Sequence, residues 1–385
     1  MRILVVCGAG YVYGKEIVTI NLMKDLRERG HEVMSLTSTW NDREFPTRLE
    51  RLCIPYKRLP LGFISRRLSW SAVLMTLDQL RLLPVLWLGY KRLERKFKPD
   101  VVLHSNFHHV FLLWPLVNKS TSVFHVHDVL PQTTFHKYLL KFINLKVKLF
   151  LGTSRFVEES LMLGGVPKSK VAHVLSGINI ENSNGYSAKE SSSTDKTKRL
   201  GQPSIGIVGQ IGEWKGHDDL IEALSILRNK GLPFVCRVYG TGDAEYISRL
   251  KRKIEDLGLT RHVRWEGFVK DRESMFENID VCVMPSRVNE AFGMVAAEAS
   301  WFGVPTVATH MGALSEIIKD GETGYLVGVT NVQQLAEKLQ LLAESSALRE
   351  RMGSAAKHYA SDYLSSKRMV KEIESILLSV VRENQ

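Results

Sequence analysis

Two successive sets of short apolar, β-branched runs, most of them followed by a helical pattern, constrain this chain more than any other feature. RILVVCG, HEVMSLTS, DVVLHSN, SVFHVHD and KLFLGTS make the first set, with helical stretches such as KEIVTINLMKDLRERG between several of them. SIGIVGQ, FVCRVYG, HVRWEG, DVCVMPS, VPTVATH and GYLVG make the second, with helices expected near 216–230, 244–257, 271–278, 292–302 and 314–319. Such alternation selects a parallel, doubly wound sheet, because parallel neighbours need a crossover long enough to hold a helix. At 385 residues the chain suits two cores rather than one. The expected fold class is therefore α/β, two Rossmann-like domains facing each other across a cleft, with ligands at the carboxyl ends of the strands.

Composition places the boundaries. ENSNGYSAKESSSTDKTKRLGQP (181–203) is rich in Ser, Lys and Asn and reads as a linker or exposed loop. A first domain over 1–180 and a second over 204–363 follow. A final helical pattern, roughly 331–383, lacks glycine after Gly353, and its end, about 364–385, is expected to pack back on the first domain.

Charge is divided unevenly. Residues 1–200 carry 30 Lys+Arg against 16 Asp+Glu, a balance of +14, whereas 201–385 carry 22 against 25, a balance of −3. The excess is densest in 54–98, where ten basic residues face two acidic ones among Leu, Trp, Phe and Met, and FHKYLLKFINLKVKLF (135–150) adds four lysines and no acid. Interleaved cations and apolar groups suit an anionic membrane surface, with each cation contributing on the order of 1 kcal/mol; an ordinary amphipathic helix with a solvated Lys/Arg face reads the same way. No nucleic-acid motif accompanies the charge, so nucleic acid is not expected as a partner. No export signal and no apolar run near the roughly 20 residues of a membrane span are read in the sequence. A cytoplasmic protein, peripheral at the inner face of a membrane, is expected. Cys7, Cys53, Cys236 and Cys282 lie far apart, without metal-ligand spacing, and read as reduced thiols.

The second half carries the clearest chemistry. In EAFGMVAAEASWFGVP, Glu290 and Glu298 stand in an otherwise apolar segment. A helix starting near Phe292 or Gly293 and stopping at Gly303 puts Glu290 just before its N-terminus. Glu298, about one turn inside, leans back over the same opening. Free N–H groups of Ala291 to Met294 make an anion site suited to a diphosphate, and carboxylates beside it would grip sugar hydroxyls. Alternatively Glu290 serves the helix cap and Glu298 is simply exposed. In GIVGQIGEWKGHDDLIEAL, Lys215 stands at a strand's carboxyl end, before a helix that His217 or Asp218 is expected to cap, as a cation for phosphates or as a solvated lysine in a turn. YGTGD (239–243) permits close backbone approach at Gly240.

The first-half loop CGAGYVYGKE (7–16) does not meet the dinucleotide fingerprint, since Gly8, Gly10 and Gly14 are spaced 2 and 4, so a NAD site is rejected. His125 and His127 share one strand face if the strand runs that far, next to Asp128. His104, His108 and His109 receive no role.

In this order the segments resemble the GT-B glycosyltransferases of family 4, the retaining sugar-nucleotide enzymes. The likeness is strongest over 204–328 and rests on the E-x7-E pair within EAFGMVAAEA, GVPTVA (303–308) and DGETGYLV (320–327). It implies that Glu290 contacts the transferred sugar, Glu298 the nucleotide ribose, and Lys215 the diphosphate. The N–H groups of Ala291, Phe292, Gly293, Met294 and Val295 would meet sugar and phosphates, with the base near Gly267–Val269 and Gly212 and Gly240 lining the donor site. Across the cleft, Gly10, Gly14 and Glu16 would lie on the acceptor side, His127 near the transferring sugar, and Gly177 at the interdomain turn. One departure stands out: where the family often has an arginine on the diphosphate, this chain has Gln210, so Lys215 carries more of the charge or Arg272 or Arg287 substitutes.

The implied activity moves a sugar from a UDP- or GDP-linked donor to an acceptor hydroxyl, such as a lipid-linked saccharide or glycolipid of cell-envelope or polysaccharide synthesis, with retention by front-face attack. Lys215 and the helix start near 291–295 would replace a metal ion, and no cofactor is implied. A GT-B-type sugar-nucleotide epimerase and a non-catalytic sugar-nucleotide-binding protein are the alternatives.

Overall fold

The computed structural model describes residues 1–8, 10–62, 70–179 and 202–383, with 71–73 by backbone alone. The stretch expected as a linker, 181–203, lies almost wholly outside the described residues. The chain divides into two compact units, Met1–Gly177 with Ser366–Gln385, and Ile178–Ser365.

In the first unit the elements run β1 (Arg2–Cys7), α1 (Gly14–Glu28), β2 (Glu32–Ser38), α2 (Glu44–Arg51), β3 (Tyr56–Leu59), α3 (Trp70–Arg81), α4 (Leu83–Phe97), β4 (Val101–His104), α5 (Phe107–Leu112), β5 (Ser122–Val126), α6 (Thr134–Asn144), β6 (Leu149–Gly152), α7 (Arg155–Leu163) and β7 (Val171–His173). The second unit holds β8 (Ser204–Val208), α8 (His217–Asn229), β9 (Val235–Tyr239), α9 (Ala244–Asp256), β10 (Val263–Gly267), α10 (Arg272–Glu277), β11 (Val281–Met284), α11 (Met294–Trp301), β12 (Thr306–Thr309), α12 (Leu314–Ile317), β13 (Gly324–Val327), α13 (Val332–Glu344) and α14 (Ser346–Tyr363). The last helix, α15 (Ser366–Arg382), belongs to the first unit.

Both sheets are parallel, in the orders β3-β2-β1-β4-β5-β6-β7 and β10-β9-β8-β11-β12-β13. The central strands are buried along their length, save Arg2 at the start of β1, as the unbroken apolar runs require of a sheet covered on both faces. In each sheet the chain builds outward from one strand, then crosses back to its other side, at β1/β4 and at β8/β11. Loops leaving these two strand pairs diverge and leave room for a ligand at their carboxyl ends.

Several expectations change. β3 and β7 were not anticipated, because YKRL and VAH are short edge strands with little apolar signal. The single helical pattern at the end is three helices. α15 is tied to α1 through Ser366 Oγ, which donates to Asp25 Oδ2 at 2.6 Å, and to the turn after α1 through Glu374, which meets Arg29 Nε at 2.7 Å and His31 Nε2 at 2.6 Å.

Candidate active site

In the second unit, Lys215 and Glu290 come from opposite sides of the switch point, one after β8 and one after β11. Lys215 closes a 3₁₀ turn, Glu213–Lys215, which ends at Gly216 with φ 72°. A Cβ at Gly216 would overlap the Pro285 carbonyl oxygen, so glycine lets the two loops pass in contact. Arg287 N donates to Trp214 O at 2.8 Å, and the Arg287 guanidinium grips Asp219 at 2.8 and 2.5 Å. Held this way, Lys215 Nζ lies 2.6 Å from Glu290 Oε1, which also accepts from Ser286 Oγ at 2.8 Å. Glu290 is fixed from a third side, where Ala313 N donates to its carbonyl at 2.8 Å.

α11 begins immediately after this pair. Gly293, with φ 101°, takes the N-cap position, and no side chain caps the helix. The N–H groups of its first turn therefore lack intrahelical acceptors and concentrate partial positive charge beside Lys215. Phe292 is buried, while Ala291, Met294 and Val295 are half-buried at this rim. Glu298, one turn in, is buried; Arg272 Nε stands 3.5 Å from its Oε1, and its Oε2 has no partner among the described residues. Burial raises the Glu298 carboxyl above its usual range and Arg272 opposes the rise.

The neighbouring strand ends are lined by backbone. Gly240 N donates to Gly267 O at 2.8 Å and Gly209 N to Tyr239 O at 3.0 Å, and a Cβ at Gly240 would overlap the Gly209 carbonyl oxygen. Gln210 is exposed just beyond, Gly212 is buried, and Val269 is half-buried in the loop after β10. The second unit thus brings Lys215, Glu290, Glu298, the start of α11 and the glycine-lined ends of β8 to β10 to one edge of its sheet.

One local expectation fails. Neither His217 nor Asp218 caps α8: Gly216 occupies the cap, and Asp218 instead accepts from Tyr246 Oη at 2.9 Å and Lys253 Nζ at 3.1 Å. Arg287, one of the alternatives to Lys215 as a cation in place of an arginine at position 210, pairs with Asp219. Ser286 and the Arg287–Asp219 clamp escaped sequence reasoning, since nothing in PSRVNE marks the hydroxyl that turns onto Glu290 or the guanidinium that reaches a distant helix.

In the first unit, the corresponding edge gathers the loop after β1 with histidines from β4, α5 and β5. Gly14 opens α1, Gly10 is exposed, and Glu16 is buried, its Oε2 accepting from Tyr13 N at 3.0 Å to close the helix start. Lys15 Nζ lies 3.8 Å from both Glu16 and Asp128. β5 ends at Val126, one residue short of His127, yet the His125 and His127 rings lie 4.1 Å apart and His127 Nε2 is buried with no partner among the described residues. His109, given no role from sequence, pins this edge: its Nε2 accepts from Gly8 N at 3.1 Å, which makes Nδ1 the donor to Val6 O at 3.0 Å. Burial, with His125 and Lys15 adding to it, holds the His127 imidazole well below its usual range.

Residues 12–182 match the family model described as Glycosyltransferase Family 4, and residues 188–359 the model described as Glycosyl transferases group 1. The chain is 32% identical over 211 residues to a D-inositol 3-phosphate glycosyltransferase of Corynebacterium urealyticum, covering 51% of this chain and 48% of that protein. It is 30% identical over 186 residues to the capsular polysaccharide biosynthesis glycosyltransferase CapM of Staphylococcus aureus, covering 47% of each. To a phosphatidyl-myo-inositol mannosyltransferase of Mycobacterium leprae it is 30% identical over 234 residues, 58% of this chain and 60% of that one. The chain thus spans about half the length of the curated relatives it matches. Among solved structures, Anabaena Alr3699/HepE in complex with UDP and glucose superposes with a TM-score of 0.76 at 20% identity, covering 98% of this chain and 100% of that one. A sucrose-phosphate synthase from Thermosynechococcus elongatus does so with 0.79 at 17% identity, covering all of both chains. These structural likenesses bear on the fold, two Rossmann-like domains of the GT-B type. Between them the two family matches take in most of the sequence, and the chain belongs to the GT-B glycosyltransferases of family 4.

Proposed function

We propose that this chain transfers a sugar from a nucleotide diphosphate donor, UDP- or GDP-linked, to an acceptor hydroxyl with retention at the anomeric carbon. The observation that carries this reading is the Lys215–Glu290 pair, 2.6 Å apart at the uncapped start of α11, with the buried Glu298 one turn behind. An ammonium and free N–H groups side by side suit a diphosphate. Two carboxylates flanking them suit the neutral hydroxyls on either side of it: Glu290 the transferred sugar, Glu298 the ribose. The base rests along Gly267–Val269.

On this reading the acceptor oxygen attacks the anomeric carbon on the face from which the diphosphate departs. The carbon–oxygen bond to phosphate breaks, and a leaving phosphate oxygen takes the acceptor proton. Lys215 and the first turn of α11 stabilise the developing charge, so turnover needs no divalent ion. The histidine-lined edge of the first unit serves the acceptor through the Gly10–Gly14 loop and Glu16, and His127 belongs to the sugar-handling residues.

The acceptor we favour is presented at a membrane, as a lipid or lipid-linked saccharide. Among the described residues no helix is long and apolar enough to cross a membrane. Trp70, Leu74, Leu77, Val85 and Leu88 of α3 and α4 are exposed, as are Arg81, Lys91, Arg92 and Arg95 nearby; on α6, Phe135, Tyr138 and Phe142 are exposed with Lys137 and Lys141. Exposed aromatic and aliphatic side chains beside cations suit an anionic leaflet. Arg66 and Arg67, part of the same expectation, lie outside the described residues.

The test is a donor panel of UDP- and GDP-sugars, incubated with the chain and with lipid-linked acceptors. The reading expects nucleotide diphosphate release matched by product, whose new linkage keeps the donor's anomeric configuration by NMR. Turnover without any acceptor would instead indicate an epimerase or hydrolase. Co-sedimentation with vesicles containing phosphatidylglycerol, weakening at high salt, tests the membrane part; no binding at any salt would defeat it.

A further inference from the structure

We propose that Arg272 is a positioning residue for the nucleoside end of the donor: it holds Glu298 as the charged carboxylate that meets the ribose hydroxyls. The inference rests on the donor site proposed above. Arg272 opens α10, immediately after the loop that carries Gly267–Val269, and approaches Glu298 on α11 from outside, with Nε 3.5 Å from Oε1. Its partner is 8% exposed, and Oε2 is sealed from solvent without a donor among the described residues.

An unpartnered buried carboxylate is costly and reverts to the neutral acid unless a cation or donors hold it. A neutral Glu298 has one oxygen occupied by its own proton and accepts more weakly from a hydroxyl. Burial pushes the Glu298 carboxyl up, and Arg272 is the one charge among the described residues that pulls it down. The other titratable group facing it is the Cys282 thiol on β11, which burial pushes up to about 12 and so keeps uncharged. α12, α14 and β12, which pack on the remaining sides of α11, bring no charge that acts on this carboxyl. Arg272 is thereby the counterweight to desolvation among the described residues.

Calorimetric titration of UDP and of GDP into the full chain, from pH 5 to 8.5, tests this with wild type, Arg272→Gln, Arg272→Lys and Glu298→Gln. Comparing variants at one pH cancels the nucleotide's own titration. Arg272→Gln should weaken binding of the preferred nucleotide about tenfold near pH 6, equal to one unit of carboxyl shift, and recover toward wild type by pH 8.5. Arg272→Lys should restore most of the neutral-pH affinity, and Glu298→Gln should be weak at every pH. A wild-type profile in Arg272→Gln, or an equal loss at all pH values, overturns the proposal while leaving the donor site standing, provided wild type binds and Glu298→Gln does not. Failure of wild type to bind either nucleotide overturns both.

Discussion

Lys215 Nζ and Glu290 Oε1 lie 2.6 Å apart although 75 residues separate them in sequence. Their loops leave β8 and β11, neighbours in the sheet, and are stitched together by Arg287 N on Trp214 O and by Gly216 against Pro285. Because the two groups touch, their contributions to catalysis are coupled. Lys215→Ala and Glu290→Gln should each lower kcat/KM at least about tenfold, and the double variant should fall short of the product of the two losses. Additive losses would show that the pair does not act as one unit.

Arg287 leaves a nearly buried carboxylate behind if removed. Asp219 has an 8% exposed side chain, and its guanidinium partner is about one third exposed. Arg287→Ala should therefore cost about 1–3 kcal/mol, below the range for a fully buried pair. The unfolding midpoint of the chain should drop by several degrees. Donor KM should rise as well, because the same clamp sets the Lys215 loop against the Glu290 loop. Thermal unfolding followed by circular dichroism, with donor kinetics on the same preparation, reads both effects.

Acid should weaken the first unit. His104, His108 and His125 are each pushed down to about 4, mainly by burial, with Lys15 contributing at His108. In the unfolded chain they titrate near 6.5. The unfolded state therefore binds more protons between these values, and stability is lost as pH falls from about 6.5 towards 4. His104 offers the sharpest control, since both ring nitrogens are buried without partners among the described residues. His104→Leu should leave the midpoint at pH 7.5 little changed and reduce the drop seen at pH 5. An equal drop in the variant would assign the acid sensitivity to other groups.

Divalent ions should be dispensable. With Lys215 and the α11 start opposite the leaving diphosphate, initial rates in excess EDTA should match those in Mg²⁺ within about twofold. A loss of tenfold or more on chelation, restored by Mg²⁺, would require a metal in the reaction.

The architecture was legible because its signals are local. Strand and helix in each βα unit declare themselves through periodicity, and the helix bounds read from the preceding strand and loop and from Gly303 and Pro305 put Glu290 before α11 and Glu298 one turn inside it. What escaped was long-range pairing. Arg287 meets a partner that the chain brings near only by folding, and the capping of α8 by Gly216 was misread because Asp218 finds Tyr246 and Lys253 instead. The edge strands β3 and β7 were missed for a different reason: three or four half-exposed residues carry too little alternation to register. His109 is a third kind of case, its part in holding Gly8 being invisible in a run of two adjacent histidines.

The central claim is that a diphosphate is recognised by one ammonium beside an open helix start. Titrating uridine or guanosine mono- and diphosphates into wild type and Lys215→Ala measures this directly. The account predicts that wild type binds the diphosphate at least about tenfold more tightly than the monophosphate of the same nucleoside, and that the preference largely disappears in Lys215→Ala. Equal binding of mono- and diphosphate by wild type, or an undiminished preference in the variant, would contradict it.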